Sequence, residues 1–203
     1  MSTSKIIDIR GRRLGGATPL ICSPLVGRTR DAILAEAATV VAKQPDVIEW
    51  RVDFFGGIGD TAAVLDTGRA LRAAVGDAPI IFTRRSVREG GESIAIGDEE
   101  VVALYDAVGA SGLVDFLDFE MGNDGDQVRR VRDGARTHGT RVILSYHNFE
   151  STPGIDFLVQ RFVEAEELGA DVAKVAVMPR DPDDVLALLA ATSRAEARAQ
   201  IPL

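Results

Sequence analysis

The sequence predicts an α/β protein built around a parallel sheet, and three observations support this fold class. Short apolar segments of strand length alternate with longer segments of helical periodicity from Pro19 onward. Six such strand–helix units follow one another with no shift in composition that would mark a linker. The hydrophobic fraction of 46% is enough for a sizeable core. Repeated units of this kind imply parallel strands with right-handed crossovers, and we predict a single domain over residues 1–203.

The predicted elements follow in order along the chain. Thr29 is the expected N-cap of the first helix, and Gly139 is expected to end the fourth. Residues 5–14 alternate around a Gly11 turn and predict a small hairpin ahead of the first unit, which could plug the bottom of a barrel. The six predicted strands span residues 20–26, 47–52, 79–83, 114–119, 141–146 and 172–177. The last three helices are expected over 124–138, over 152–168 and from near Asp181.

Two architectures fit this order, a doubly wound open sheet and a (β/α)8 barrel. Both place functional groups at the carboxyl ends of the strands. Side chains along a strand alternate in direction, so polar residues of one parity should point together. Ionisable or polar residues share a parity near the end of five strands: Glu49 with Arg51, Thr83 with Arg85, Asp118 with Glu120, Ser145 with His147, and Lys174.

Composition restricts the class of function. Lys and Arg number 23 against 31 Asp and Glu, and the net charge of −8 disfavours a nucleic-acid partner. One cysteine, Cys22, allows no internal disulfide, and two histidines are too few for a His-rich metal site. The apolar segments are shorter than the ~18–20 residues that a membrane helix needs. We therefore expect a soluble cytoplasmic protein with no metal.

Lys174 interrupts a segment, Val172-Ala173-Lys174-Val175-Ala176-Val177, that is otherwise typical of a buried strand. One interpretation pairs this lysine with a core carboxylate such as Asp118 or Glu120. The other makes it a nucleophile whose pKa falls on burial, so that it attacks a ketone and forms a Schiff base. His147 ends the neighbouring strand and is a candidate acid or base. Glu89 opens a Gly-rich loop that predicts a lid, with a carboxylate able to orient a histidine.

Several stretches together are similar to the type I 3-dehydroquinate dehydratases, the Schiff-base-forming enzymes of the shikimate pathway. They occur in that family's order over nearly the whole chain. The matching stretches are Pro24–Thr29, Ile48–Asp53, Phe82–Ser86 leading to Glu89–Glu92, Asp118–Glu120, Ser145–Phe149 and Ala173–Pro179.

The resemblance implies a (β/α)8 barrel and a lyase that converts 3-dehydroquinate into 3-dehydroshikimate without an external cofactor. It assigns the imine-forming lysine to Lys174, the acid/base histidine to His147 and the supporting glutamate to Glu89. It implies substrate-binding roles for Glu49, Arg51, Arg85 and Phe149, and a homodimer. Another lysine-dependent barrel lyase or aldolase, and a catalytically impaired ligand-binding relative, remain as alternatives.

The number of units departs from the resemblance. Eight units are expected of the family's barrel, whereas six are present here. Six strands cannot close such a sheet, and its first and last strands would be open edges. We therefore expect these 203 residues either to self-associate or to show reduced dehydratase activity.

Overall fold

The computed structural model describes residues 5–203, so the first four residues of the predicted domain lie outside the described residues. Six parallel strands form one curled sheet whose spatial order is the chain order. A doubly wound sheet would reverse its strand order at a switch point, so this order identifies the barrel type. The strands are β3 (Cys22–Leu25), β4 (Val47–Arg51), β5 (Ile80–Thr83), β6 (Phe116–Glu120), β7 (Arg141–Asn148) and β8 (Val172–Val177).

Helices follow the strands and cover the outer face of the sheet. They are α1 (Arg30–Val41), α2 (Thr61–Val75), α3 (Asp98–Ala110), α4 (Gly125–His138), α5 (Ile155–Glu167) and α6 (Pro182–Glu196). The predicted cap is confirmed, because Thr29 Oγ1 accepts a hydrogen bond from the backbone N of Ala32. Asp181 Oδ1 caps α6 in the same way through the N of Asp184. Gly139 ends α4 with a φ of +74°.

Several predicted boundaries differ from the structure, such as the first strand, expected over 20–26 and observed over Cys22–Leu25, and two of the differences have identifiable reasons. The fifth helix begins at Ile155 rather than near Thr152, since Pro153 disfavours a helical conformation at the residue before it. The fifth strand of the sheet, β7, continues past Tyr146 to Asn148. His147 pairs there with Ala176 of β8, so the histidine lies on the strand itself.

The predicted hairpin is present as β1 (Ile7–Ile9) and β2 (Arg12–Leu14), which pair antiparallel. Arg10 and Gly11 both have positive φ, as a tight two-residue hairpin turn requires. Ile7 packs against an apolar layer at the beginning of the strands, formed by Val47, Ile81, Phe116, Ile143 and Val172. The carboxylate of Asp115 holds the hairpin by accepting from Arg10 Nε at 2.6 Å, and it also accepts from Arg72 NH2 of α2 at 2.7 Å.

Alternation along the strands separates an apolar outer face from a polar inner one. Outward-facing Trp50, Phe82 and Phe119 join Tyr105 of α3 in a row of edge-to-face rings with centroids 5.2–5.5 Å apart. On each of these strands, the residues next to the aromatic one face inward. The same strand positions therefore build the core on one side and the polar interior on the other.

β3 and β8 are the two outer strands of the sheet. The backbone N of Ala173 in β8 donates to the carbonyl of Pro202 at 3.0 Å. A cavity of about 470 Å³ runs beside β8 from the inner apolar layer towards α5 and α6. Its lining includes Glu49 and Lys174, so the cavity reaches the polar interior.

Candidate active site

Above the apolar layer, the inner face of the sheet carries a layer of polar side chains. Thr83 pairs with Asp118 and Ser145 pairs with Lys174 across adjacent strands. Side-chain hydrogen bonds from Thr83 to Glu49 and from Ser145 to Asp118 join the remaining members. The prediction that polar residues of one parity meet inside the sheet is confirmed. Five residues from five successive strands form this layer: Glu49, Thr83, Asp118, Ser145 and Lys174.

Lys174 is paired with two carboxylates. Its Nζ lies 3.0 Å from Asp118 Oδ2 and 3.4 Å from Glu49 Oε1. Burial acts to lower the pKa of Lys174, but the negative charges of these two partners outweigh burial and the pKa is raised. The expected fall in the lysine pKa was therefore wrong for the free protein. Lys174 is paired with Asp118 and still has the exposure that a nucleophile needs, since 35% of its side chain is exposed.

Asp118 is fully buried and is the centre of the polar layer. Its Oδ1 accepts from Arg85 NH2 at 2.8 Å and from Ser145 Oγ at 2.7 Å. Burial alone would raise the pKa of Asp118, yet the positive charges of Arg85 and Lys174 hold it well below its usual range. This carboxylate therefore stays ionised at any pH near neutrality.

His147 and Glu89 form a second pair above this layer. The Nδ1 of His147 lies 2.8 Å from Glu89 Oε2, and the backbone N of His147 donates to the same oxygen at 3.0 Å. Burial, together with the charge of Arg85, lowers the pKa of His147 to about 4. Burial raises the pKa of Glu89 to about 7, against the opposing effect of Arg85. The imidazole is neutral at pH 7, with Nδ1 engaged and Nε2 left for acid–base work.

Phe149 covers this pair from the solvent side. Its ring stacks on the imidazole of His147 with 6.1 Å between centroids and 11° between planes. Gly90 packs so closely that a Cβ there would lie 2.7 Å from the Phe149 ring. A Cβ on Gly91 would lie 2.0 Å from the carbonyl oxygen of Arg85. The glycines of the predicted lid thus allow close packing, and the predicted contact between Glu89 and His147 is present.

Arg51 projects from the end of β4 and is fixed by Asp53. Its Nε and NH2 donate to the two oxygens of Asp53 at 2.9 and 2.8 Å, and its guanidinium lies over the Phe54 ring. Glu49 lies one layer deeper and accepts from Thr83 Oγ1 at 2.8 Å. Both side chains are oriented by neighbours and keep partial exposure, 18% for Arg51 and 13% for Glu49.

Arg85 differs from the other cations because its side chain is only 3% exposed. Its NH1 donates to Ser145 Oγ at 2.9 Å and to Glu120 Oε1 at 3.2 Å, and lies 3.6 Å from Glu89 Oε2. Its geometry therefore links the Asp118 layer below to the Glu89–His147 pair above.

Residues 21–203 match the family model of type I 3-dehydroquinase. The chain belongs to the type I 3-dehydroquinase family. It is 52% identical to the 3-dehydroquinate dehydratase of Albidiferax ferrireducens, over all of this chain and 77% of that protein. The crystal structure of 3-dehydroquinate dehydratase from Geobacillus kaustophilus matches all of this chain and 79% of its own, with a TM-score of 0.96 and 43% identity. The type I enzyme from Clostridium difficile, solved with covalently modified comenic acid, matches with a TM-score of 0.93 and 35% identity over 97% and 78% of the two chains.

Of the seven site residues predicted from the sequence, Glu49 and Lys174 lie in the middle of their strands, and the other five lie at or beyond the carboxyl ends. Contacts join them into two groups, Lys174 with Glu49, and His147 with Glu89 and Phe149, and Arg85 lies beside Glu89. Arg51 stands on the adjacent strand with its own acidic partner. Sequence reasoning left Asp53, Thr83 and Ser145 without a role, and it considered Asp118 and Glu120 only as partners for Lys174. These five residues orient the others. Their shared parity was the available signal.

Two further properties concern the described part of this 3-dehydroquinase. Across residues 5–203, none of the helices combines the length and the apolar character that crossing a membrane requires. Those residues also contain no group of three or more His, Cys, Asp or Glu side chains that could hold a metal ion.

Proposed function

We propose that this chain dehydrates 3-dehydroquinate to 3-dehydroshikimate through a Schiff base on Lys174. Membership of the type I 3-dehydroquinase family supports this reaction. So does the similarity to proteins that are named 3-dehydroquinate dehydratase. One observation carries the assignment of residues. A partly exposed lysine and a neutral histidine with an engaged Nδ1 project from neighbouring strands into the same interior.

The chemistry divides between these two side chains. Lys174 condenses with the C3 ketone, and the resulting protonated imine withdraws electrons from the adjacent C–H bond. His147 Nε2 removes that proton and then donates it to the hydroxyl that leaves from C1 as water. Hydrolysis of the imine releases 3-dehydroshikimate and restores the lysine. Glu89 holds the histidine in the tautomer that this sequence of steps requires.

The substrate contacts are proposed on position and chemistry. Arg51 and Glu49 are oriented by neighbouring side chains and partly exposed, which suits recognition of the carboxylate and hydroxyls of the substrate. Phe149 would lie against the ring of the substrate beside His147. Arg85 would contact the substrate and would also position the carboxylates of Asp118 and Glu89.

Sodium borohydride trapping tests the proposal, because the chain contains three lysines, Lys5, Lys43 and Lys174. Incubation with 3-dehydroquinate and borohydride should add one substrate-derived mass to the peptide that contains Lys174. Lys174→Ala should abolish both this adduct and turnover. Lys174→Arg is the matched control, because it keeps the positive charge between Asp118 and Glu49 but cannot form the imine. An adduct on Lys5 or Lys43 would overturn the assignment, as would turnover by Lys174→Arg.

The same assignment implies a place in the shikimate pathway, in the cytoplasm, and a homodimer. The large apolar side chains of Val185, Leu186 and Leu189 on α6 are exposed, which supports association of copies of the chain. Sedimentation of the purified chain should give twice the mass of 21.7 kDa. A monomer at micromolar concentration would contradict the homodimer and leave the chemistry of Lys174 unaffected.

A further inference from the structure

The carboxylate of Asp118 is built so that its two oxygens face different partners. Oδ1 accepts from Arg85 and Ser145, which lock the group in place. Oδ2 accepts from Lys174 Nζ at 3.0 Å. A fixed negative charge therefore lies against the atom that the proposed reaction converts from an amine into an imine.

We propose that Asp118 is a catalytic residue, the counterion that keeps the imine nitrogen of Lys174 protonated during the dehydration. The inference rests on the proposed function, since it requires the imine on this lysine. The imine nitrogen carries one N–H after condensation, and Asp118 Oδ2 is the nearest carboxylate oxygen to accept it.

The balance of protons supports a counterion over a base. An ammonium and a ketone give a protonated imine and water: the nitrogen keeps one hydrogen, and the carbonyl oxygen leaves with the other two. The nitrogen carries one positive charge before and after this step. A carboxylate that stays ionised throughout can therefore stabilise both states without gaining or losing a proton. Asp118 has this property, because Arg85 and Lys174 hold its pKa low.

Protonation of the imine matters for the elimination that follows. A positively charged imine withdraws electrons from the neighbouring C–H bond much more strongly than a neutral imine does. An opposite charge in direct contact raises the pKa of a cationic acid, and it acts most strongly where water is excluded. Asp118 is fully buried, so solvent does not reach the carboxylate on its own side of the contact.

Glu49 is the only competing carboxylate within 4 Å of Lys174 Nζ among residues 5–203, and its position is weaker for this role. It lies at 3.4 Å and shares the same oxygen with Thr83. Arg85 and His147 also interact electrostatically with Lys174. Neither is an anion, so neither can serve as the counterion of a protonated imine. The groups that face the amine from all elements around it are Cys22 on β3, Glu49 on β4, Arg85 after β5, Asp118 on β6 and His147 on β7.

Two reductants separate formation of the imine from its protonation. Sodium borohydride reduces imines in either state, whereas sodium cyanoborohydride reduces the protonated form far faster. For the unmodified chain, we expect both reagents to trap 3-dehydroquinate on Lys174 through neutral pH. In Asp118→Asn, borohydride trapping should persist, and the pH midpoint of cyanoborohydride trapping should fall by about 1–3 units. Turnover at neutral pH should then decline.

Ser145→Ala is the control for disturbance of the layer, because it removes a hydrogen bond to Asp118 while keeping the charge. Its cyanoborohydride midpoint should match that of the unmodified chain. An unchanged midpoint in folded Asp118→Asn, or an equal fall in Ser145→Ala, would overturn the counterion role. Absence of any adduct on Lys174 in the unmodified chain would instead overturn the proposed function, and the inference with it.

A measurement without the variant keeps the inference testable if Asp118→Asn fails to fold. The cyanoborohydride midpoint of the unmodified chain is compared with that of the imine formed by Nα-acetyl-lysine and 3-dehydroquinate in solution. The counterion should raise the midpoint on the protein by at least one pH unit. A midpoint equal to the solution value would overturn the role.

Discussion

One carboxylate oxygen of Glu89 contacts His147 twice, lying 2.8 Å from Nδ1 and accepting a hydrogen bond from the backbone N at 3.0 Å. The backbone contact ties the glutamate to the same strand position as the ring. An ionised Glu89 then accepts the Nδ1–H, and Nε2 is left as the basic nitrogen. Orientation and tautomer of the histidine are therefore fixed by a single carboxylate oxygen.

Replacement of His147 by Ala should separate imine formation from elimination. We expect His147→Ala to retain borohydride trapping on Lys174 while kcat falls about 10²–10⁴-fold, the usual contribution of a general acid or base. His138→Ala is the matched control, since this second histidine lies on the last turn of α4 beside Asp106. Near-normal kcat in His147→Ala would show that another group transfers the proton.

Removal of the Glu89 charge should alter the pH profile of the enzyme. The pKa of Glu89 is raised to about 7, so the carboxylate is protonated below that pH and ionised above it. Only the ionised form accepts the Nδ1–H, so kcat should increase as the pH rises through about 7. Glu89→Gln should lose this dependence and run at a lower, flatter kcat between pH 5 and 9. Glu92→Gln, at an exposed ion pair with Arg28, should keep the profile of the unmodified chain.

Gly90 and Gly112 allow the cost of positive φ to be separated from the cost of contact with Phe149. Both have positive φ, +81° and +68°, but only at Gly90 does an added Cβ meet a neighbour. Either change to Ala should lower the free energy of unfolding by about 1–2 kcal/mol. Gly90→Ala should also displace Phe149 from His147 and reduce kcat, as measured alongside urea unfolding. Equal kcat in the two variants would argue against a role for the stacked ring.

The Asp115 ion pairs at the opposite end of the sheet should affect stability and spare catalysis. Asp115→Asn removes the charge that faces Arg10 and Arg72, and Arg72 is 16% exposed. We expect a loss of about 3 kcal/mol in the free energy of unfolding, the lower end for a buried pair broken on one side. Asp66→Asn, which breaks an exposed pair with Arg69, should cost less than about 1 kcal/mol. A large fall in kcat for Asp115→Asn would show that the two ends are coupled.

The sequence predicted the order of the elements and the inner face of the sheet because both follow from local periodicity. Parity placed Glu49, Asp118 and Lys174 on one side, and the structure confirms it. The sign of the lysine pKa shift could not be predicted, since it depends on distances between residues 56 and 125 positions apart in the chain. Burial and charge act in opposite directions there, and only the geometry decides between them.

The boundaries of some elements and the packing of the Gly-rich loop also depend on contacts between distant residues, so they could not be predicted from the sequence. The extension of β7 to Asn148 is set by pairing with β8 and not by the residues of β7 alone. The tight contact of Gly90 with Phe149 also joins distant parts of the chain, so the Gly-rich loop could be interpreted from sequence only as a lid.

The row of rings on the outer face gives the molecule an optical reporter. Trp50 is the single tryptophan of the chain, and it is 1% exposed among Phe82 and Phe55. Its neighbours on β4, Glu49 and Arg51, point to the other side of the same strand. Tryptophan fluorescence should therefore change when the sheet unfolds and change little when substrate binds in the interior. The emission of Trp50 can thus report the stability of the protein during turnover.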